Sequence, residues 1–190
     1  TYGSVDNEKI SENTFFDIAS FTKVVLTVPV IYYATFRKII SPGDNISKFF
    51  NGFNNNTTIL SLLSHTSGLP AWFPYFDLVP SQFSISKRKE RVKTMILESF
   101  TSNTQKCYSD LNYLLLGFIL EKVFAQPLDS VFQKFLKDAK IDSQITFHPE
   151  YKTPFTAFSK TRRTFPAMTV EDENCYFLGG ICGHAGLFAS

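Results

Sequence analysis

The sequence is short of charge and of cysteine, and both shortages exclude classes of protein. Charged residues are 19% of the 190 positions, and 19 basic against 17 acidic residues leave a formal net charge of +2. So small a charge predicts neither nucleic acid nor an anionic membrane as a partner. Three cysteines do not make up the even, regularly spaced set of a disulfide framework. The hydrophobic share of 44% is typical of a globular domain.

Long hydrophobic runs are also missing. The longest mostly apolar stretch, Val24 to Phe36, falls short of the roughly 20 residues needed to cross a bilayer, so we predict no membrane span. Thr1 is not followed by a basic and then an apolar segment, so no targeting signal identifies the compartment. Phenylalanine is abundant instead, with 21 residues, and this predicts an aromatic interior.

Hydrophobic periodicity predicts a mainly helical chain. The apolar segment from Ile18 to Ile40 is predicted to be a helix with a kink at Pro29, and Leu111 to Phe124 has the clearest apolar face. Residues 1–13 are predicted to end a strand or hairpin, and the glycine-rich segment from Leu178 to be a loop. Shorter helices are predicted at 58–64, 87–100 and 128–137, with an aromatic-rich loop at 71–86.

The segment from Ser20 to Lys23 is the sharpest local feature. Its hydroxyl and its amine are three residues apart at the start of the long apolar helix, so they lie on one face, one turn apart. A serine becomes a good nucleophile when a base takes its proton, and a lysine can do so once burial or nearby positive charge lowers its pKa. The free amides of a helix N-terminus favour negative charge beside the serine. Ser20 is therefore a candidate nucleophile and Lys23 its candidate base.

A Ser-x-x-Lys pattern is short enough to arise by chance. The segment from Ser84 to Lys89 contains two further matches, but it is basic and solvated, with nothing to remove water from the amine. This context favours the match at Ser20 and Lys23. Taken alone, that match is better explained as a helix-start serine beside an unrelated lysine.

Tyr108 lies just before the helix predicted to start at Leu111. A phenol at a helix entrance can relay a proton between a serine and a leaving group, so Tyr108 is a candidate catalytic residue. The alternative is a packing aromatic whose hydroxyl finds an ordinary partner. Ser109 or Asp110 is expected to be the helix N-cap.

Several motifs in the same order resemble one family. The segments from Phe16 to Lys23, Leu62 to Pro70, Tyr108 to Gly117, Glu171 to Asn174 and Gly183 to Phe188 are similar to the serine β-lactamase-related superfamily. The branch that they resemble is the class C-type group, which contains esterases and penicillin-binding-protein-like hydrolases. Ordered motifs with plausible separations are far more specific than any one motif.

This resemblance implies both a fold and a reaction. The fold is α/β, of the β-lactamase/transpeptidase-like type, and residues 1–190 would form mainly its helical region with an incomplete antiparallel sheet. The reaction is acyl transfer without a cofactor: Ser20 attacks a carbonyl, Lys23 is the general base, and Tyr108 exchanges protons with Ser20 or the leaving group. One oxyanion-hole donor would be the Ser20 amide, and the other would come from a sheet strand with a Lys- or His-x-Gly motif.

The segment from His184 to Gly186 fits that last motif literally. Its glycine-rich surroundings predict a loop near the site instead of a sheet strand. On this interpretation the strand that completes the oxyanion hole follows residue 190, and N-terminal strands precede residue 1. Apolar helix faces would then be uncovered, which predicts a marginally stable chain unless the other parts are supplied.

Two polar residues are expected beside the catalytic ones. His65 is predicted to brace its loop by hydrogen bonding, with a catalytic role as the alternative. Asp110 stands where many relatives carry Asn, and a carboxylate near Lys23 would favour the ammonium form and weaken the base. If Asp110 instead points away as a helix cap, replacing it with Asn should leave hydrolysis almost unchanged.

A metal site and a polyanion site are the other chemical possibilities. Cys182 and His184, with Cys175 nearby, could suggest zinc, but no fourth ligand has convincing spacing, so we predict no metal. The basic residues between Lys87 and Lys93 could bind an anionic polymer, although a solvated helix turn relieved by a glutamate explains them better.

Two functions of different classes follow. The first is a serine hydrolase for an ester or amide, in which an esterase or a D-alanyl-D-alanine-type peptidase is favoured over a dedicated β-lactamase, with a small-molecule or peptidoglycan-like substrate. The second is a non-catalytic binding or scaffold module of the cell envelope, against which the combination of Ser20, Lys23 and Tyr108 argues. The family favours an extracytoplasmic location, with a cytoplasmic one as the alternative, and the oligomeric state is left open.

Overall fold

Helices account for most of the regular structure in the computed structural model, which describes residues 4–5, 8–51, 56–100, 106–149 and 168–190. The longer helices are α1 (Val28–Phe36), α4 (Ile85–Glu98), α5 (Asp110–Phe124) and α6 (Leu128–Ala139). Short helices are α2 (Ile59–Leu63), α3 (Tyr75–Leu78) and α7 (Glu173–Phe177).

The first long helix differs from its prediction at both ends. It begins with a 3-10 turn at Ala19–Phe21 and a π-helical turn at Lys23–Thr27, and α1 ends at Phe36 instead of Ile40. Pro29 lies in the first turn of α1, where its missing N–H removes little of the hydrogen bonding within α1. Lys38, with φ of +58°, takes the chain out of the helical direction.

Helix α5 is the centre of the core. Ten successive residues from Leu111 to Leu120 are buried, because the π-helical turn, α2, α4 and α6 all pack against this helix. The prediction of a single apolar face was therefore too narrow. It missed the burial of Asn112 and Gly117, which lie outside the apolar pattern.

Two further helix predictions need correction. The segment 71–86, predicted as a loop, contains the short helix α3 and the first turn of α4. Helix α4 starts at Ile85 because Ser84 caps it, with the Ser84 Oγ accepting the Lys87 N–H at 3.3 Å.

A small antiparallel sheet joins distant parts of the chain. Its strand order is β3 (Phe16–Asp17), β5 (Phe188–Ala189) and β4 (Ile145–Thr146), with Phe16 opposite Ala189. A separate hairpin, β1 (Ser4–Val5) and β2 (Glu8–Lys9), lies within the predicted N-terminal hairpin region. Because β3 leads into Ser20 and β5 follows the glycine-rich loop, the sheet brings both segments to one place.

The helix from Ala19 to Phe36 has two different faces. By length and by its mean hydropathy of 1.3 it could cross a membrane. Leu26, Val30 and Ala34 are nevertheless fully buried in the core, which is typical of a core helix. The other face is exposed, with Phe21, Val24, Tyr32 and Phe36 between 57% and 87% accessible.

Candidate active site

The structure places Ser20 and Lys23 in direct contact. The Lys23 Nζ donates a hydrogen bond to the Ser20 Oγ at 2.7 Å. Lys23 is 3% exposed, whereas Ser20 is open to solvent. The 3-10 turn brings Ser20 out of the sheet, and the following π turn directs Lys23 into the core. A hydroxyl that a substrate can reach therefore lies beside a buried amine.

Two more oxygens surround the Lys23 amine. The Asp110 Oδ1 lies 2.8 Å from Nζ, and the backbone carbonyl of His184 accepts a hydrogen bond from it at 3.2 Å. The hypothesis that Asp110 points away as a helix cap is wrong. Ser109 is the N-cap of α5 by position, without a side-chain cap hydrogen bond, and Asp110 contacts Lys23 instead.

Tyr108 meets Lys23 through the face of its ring. The Lys23 Nζ lies 4.9 Å from the Tyr108 ring centroid and 5.8 Å from that of Tyr113, which are cation–π distances. Tyr108 is 55% exposed, so it is not an ordinary packing aromatic. Lys23 thus contacts both of the other candidate residues, the hydroxyl of Ser20 and the ring face of Tyr108.

His65 lies behind Tyr108. Its ring centroid is 4.5 Å from that of Tyr108, and its Nδ1 accepts the backbone N–H of Ser109 at 3.0 Å. These contacts brace the loop, as the sequence predicted. Burial, and then the charge of Lys23, lower the pKa of His65, which keeps the imidazole neutral at neutral pH.

The glycine-rich loop closes the other side of the site, as predicted, and strand β5 starts only after it. An added Cβ at Gly183 would lie 2.3 Å from the Tyr113 carbonyl oxygen of α5. Gly186, with φ of +114°, needs glycine for its backbone conformation. The Thr27 Oγ1 donates to the Gly183 carbonyl at 2.6 Å, which anchors the loop to the helix that carries Lys23.

His184 contributes to the site through its backbone, while its side chain points into the core. The His184 Nε2 lies 3.0 Å from the Asp172 Oδ1, and the imidazole is 1% exposed. Burial alone would lower the pKa of His184, but the charge and hydrogen bond of Asp172 raise it to about 10. Burial alone would raise the pKa of Asp172, and the charge of His184 lowers it below its usual value. The two residues form an ion pair beneath the loop, in which the imidazole is buried and the Asp172 side chain is 23% exposed.

The cysteines near this pair show no metal-binding arrangement. The Cys175 Sγ donates to the Ala185 carbonyl at 3.2 Å, and Cys182 is the other neighbour of the His184 imidazole. Among the residues that the structure describes, no group of three or more ligating side chains converges in a way that could hold a metal ion.

The basic segment at the start of α4 is engaged within the protein. Lys89 forms an ion pair with Glu121 at 2.7 Å. Arg88 donates to the carbonyl groups of Phe83 and Phe177, both at 2.9 Å. These contacts engage Arg88 and Lys89 within the protein, while Lys87 and Arg91 are exposed to solvent.

Sequence reasoning missed several polar groups that hold the site. The Thr22 Oγ1 accepts the Leu187 N–H at 3.2 Å, Thr27 anchors Gly183, and Ser67 donates to the Asn112 side chain at 2.5 Å. The signal was present, because Thr22 and Thr27 are polar positions within an apolar helix that end up fully buried. A buried hydroxyl needs a partner, so such positions indicate a packed neighbour.

Comparison with known proteins gives one consistent family. The beta-lactamase family model matches residues 1–190. The chain is 29% identical over 213 aligned residues to a putative D-alanyl-D-alanine carboxypeptidase of Salmonella typhimurium, covering 95% of this chain and 49% of that protein. It is 30% identical over 215 residues to a protein of the same description from Escherichia coli O157:H7, covering 96% and 49%. The chain thus spans about half the length of the curated relatives that it matches.

Solved structures agree on the fold. FmtA from Staphylococcus aureus matches with a TM-score of 0.69 and 18% identity over 96% of this chain and 49% of that one. A class C beta-lactamase from Rhodobacter sphaeroides matches with a TM-score of 0.66 and 18% identity over 97% and 50%. These similarities confirm the β-lactamase/penicillin-binding-protein fold, here mostly helical with a small antiparallel sheet.

Proposed function

The chain belongs to the beta-lactamase family, and from that membership we propose that its full protein is a serine hydrolase that acts on an ester or amide through an acyl-enzyme. The observation that carries the proposal is the 2.7 Å hydrogen bond between the buried Lys23 amine and the exposed Ser20 hydroxyl. Because the chain spans half of its relatives' length, the proposal concerns the whole protein.

The first step is the attack of the Ser20 Oγ on the substrate carbonyl carbon. Lys23, as a neutral amine, takes the hydroxyl proton while the new C–O bond forms. The backbone N–H of Ser20 is one donor for the oxyanion. As the tetrahedral intermediate collapses, the bond to the leaving group breaks, Tyr108 gives its phenol proton to that group, and the Lys23 ammonium returns a proton to Tyr108. Water then attacks the acyl carbon while Lys23 takes its proton, and that proton returns to the Ser20 Oγ as the acyl C–O bond breaks.

The groups around Lys23 can accommodate both its charged ammonium form and its neutral amine form. The Lys23 Nζ donates hydrogen bonds to the Ser20 Oγ and the His184 carbonyl oxygen, and the Asp110 carboxylate lies 2.8 Å away as a charge partner. In the proposed neutral form Lys23 keeps a donor for the carbonyl, and its lone pair faces the serine. Loss of one proton therefore produces the base without moving the side chain.

The substrate class follows from the relatives. The matching proteins from Salmonella typhimurium and Escherichia coli O157:H7 are described as putative D-alanyl-D-alanine carboxypeptidases. We propose an esterase or a peptidase of this type in preference to a dedicated β-lactamase, with a small-molecule or peptidoglycan-like substrate and an extracytoplasmic location.

The test is covalent labelling of the full-length protein. A fluorophosphonate and a labelled penicillin are incubated with wild type, Ser20→Ala and Ser86→Ala, and peptides are analysed by mass spectrometry. We expect an adduct of at least one probe on Ser20 in wild type and in Ser86→Ala, and none in Ser20→Ala. Ser86 is the matched control because it belongs to an exposed Ser-x-x-Lys match. Absence of an adduct with both probes would overturn the hydrolase proposal.

Replacing Asp110 with Asn should increase the acylation rate at neutral pH by about tenfold. The carboxylate at 2.8 Å stabilises the ammonium form of Lys23. Two charges 4 Å apart near a surface interact by about 4 kcal/mol, and the 19% exposure of Asp110 reduces this energy. About 1.4 kcal/mol corresponds to the tenfold effect. The measurement is the rate constant for covalent labelling of Ser20 by the probe, and the exposed variant Asp77→Asn is the charge control. An unchanged rate would show that Asp110 does not control the base.

The ion pair also favours a second candidate. A buried lysine with a carboxylate 2.8 Å from its amine is also the arrangement expected in a non-catalytic relative that retains the fold as a binding or scaffold module of the cell envelope. The labelling experiment separates the two functions, since a scaffold leaves Ser20 unmodified in both wild type and Asp110→Asn.

A further inference from the structure

His65 occupies a left-handed backbone conformation, which glycine and asparagine adopt most readily. It follows α2 with φ of +56°, the left-handed region where glycine or asparagine commonly ends a helix. The end of α2 is closed by backbone hydrogen bonds, from the Thr66 N–H to the Ser61 carbonyl at 2.9 Å and from the His65 N–H to Leu62 at 3.2 Å. The backbone therefore gives no reason for an imidazole at this position, and the reason lies in the side chain.

The His65 side chain holds the peptide group that follows Tyr108. Its Nδ1 accepts the Ser109 N–H at 3.0 Å, and the Asn112 amide nitrogen lies 3.3 Å from the same atom. Two further bonds fix this segment, from the Ser109 Oγ to the Pro70 carbonyl at 2.5 Å and from the Asp110 N–H to the Ala71 carbonyl at 2.9 Å. Of these bonds, the one to His65 is nearest in the chain to the Tyr108 side chain.

The His65 ring also supports the Tyr108 ring directly. It lies between two tyrosines, with its centroid 4.5 Å from Tyr108 and 5.1 Å from Tyr113, tilted by 34° and 32°. Tyr108 is 55% exposed, so few contacts hold its ring. Among the described residues, the Tyr108 ring contacts His65 on one side and the Lys23 Nζ, which lies 4.9 Å from the ring centroid.

The contact requires a neutral imidazole. The charged and titratable groups that face His65 are Lys23 from the first helix and Asp110, Tyr108 and Tyr113 from the start of α5 and the segment before it. Burial and then Lys23 lower the pKa of His65. When Nδ1 gains a proton it becomes a donor facing another donor, the Ser109 N–H, and the hydrogen bond is lost.

We propose that His65 is a positioning residue for the proposed acyl transfer: its neutral imidazole fixes the Tyr108 phenol beside Lys23 by accepting the Ser109 N–H and stacking on the ring. The proposal rests on the proposed function, in which Tyr108 passes a proton to the leaving group. Protonation of His65 releases Tyr108, and the site loses its proton relay while Ser20 and Lys23 stay in place.

Two variants separate the hydrogen bond from the ring. In His65→Asn the amide oxygen stands close to the position of Nδ1, and asparagine tolerates the left-handed conformation, so the acceptor stays while the ring and its titration are removed. In His65→Phe the ring stays and the acceptor is lost. Both are made in the full-length protein, with thermal unfolding as the check of folding.

Acylation of Ser20 by a chromogenic ester gives the kinetic result. We expect His65→Phe to lower kcat by about tenfold, the effect of one lost hydrogen bond of about 1.4 kcal/mol, with KM almost unchanged. His65→Asn should stay within about threefold of wild type at neutral pH. The ratio of the wild-type rate to the His65→Asn rate should fall as the pH drops through the titration of His65, because only wild type carries this imidazole. The effect of Lys23 on the rate is common to both proteins and cancels in the ratio. Equal rates in all three proteins, or a constant ratio, would overturn the proposal.

A second readout does not depend on activity. In protein labelled with 13C in its tyrosine rings, the Tyr108 resonance, assigned with Tyr108→Phe, should shift with pH at a midpoint below the ordinary value for histidine. The shift should be absent in His65→Asn, and its persistence there would overturn the proposal. If Ser20 forms no adduct while Tyr108 still follows His65, the positioning stands and the proposed function fails.

Discussion

Replacing Lys23 with methionine is expected to lower the rate of Ser20 acylation by about a thousandfold, within the range that a positioned general base contributes. Methionine has a similar length and suits a site that is 3% exposed, but it accepts no proton from the Ser20 Oγ. The measurement is the second-order rate constant for labelling by the fluorophosphonate, followed by mass spectrometry.

The control must account for the partner that Lys23→Met leaves unpaired. Asp110 is 19% exposed, and its carboxylate would remain beside an apolar side chain. The double variant Lys23→Met with Asp110→Asn removes both charges, and it should be as slow as the single variant but more stable. Lys87→Met tests the second Ser-x-x-Lys match and should label at the wild-type rate. A Lys23→Met protein that labels within tenfold of wild type would exclude Lys23 as the base.

Replacing Asp172 with asparagine should reduce the free energy of unfolding by about 2 kcal/mol, less than the cost of breaking a fully buried ion pair because the Asp172 side chain is 23% exposed. Asparagine can still cap α7 by accepting the Cys175 N–H, which the Asp172 Oδ1 accepts at 2.7 Å in wild type. The variant therefore removes the charge that faces His184 and leaves the cap.

The same variant should reverse the pH dependence of stability. In wild type the pKa of His184 is raised to about 10, so its contribution is complete below the unfolded pKa of about 6.5 and is lost as the pH rises toward 10. The pKa of Asp172 is lowered, so its contribution is present above the unfolded value and is lost in acid. Without Asp172, burial lowers the pKa of His184, and stability instead falls as the pH drops below about 6.5.

The titration of Cys182 would obscure this pH dependence, so the experiment uses a Cys182→Ala background. Burial raises the pKa of its thiol, but contacts with Cys175 and His184 outweigh burial and lower it to about 6. Its titration between about pH 6 and pH 9 therefore opposes that of His184. Urea unfolding of Cys182→Ala should show stability falling between about pH 7 and pH 9, and Asp172→Asn in the same background should lose that slope. Parallel slopes in the two proteins would show that the ion pair does not determine the titration of His184.

Local patterns predicted the elements of this fold more reliably than their packing. The apolar period predicted α5 and α6 nearly to their ends, and the glycines predicted the loop from 178 to 187. The π turn at Lys23–Thr27 and the burial of α5 on all sides were not predictable. They depend on how closely neighbouring elements approach, such as Gly183 against the Tyr113 carbonyl, and a local period does not contain that information.

The sequence by itself determined that Ser20 and Lys23 would share a helical face, because residues three apart are neighbours on the surface of an α-helix. Only the tertiary structure decided what surrounds them: Asp110 on the amine, the His184 carbonyl beside it, and His65 behind Tyr108. These partners are far from Lys23 or from each other in the sequence. They meet because α5 is buried at the centre of the core and because the β3–β5 pairing brings the glycine-rich loop to Ser20. Chemistry between neighbours in the sequence follows from helix geometry, whereas the charge that controls it comes from packing.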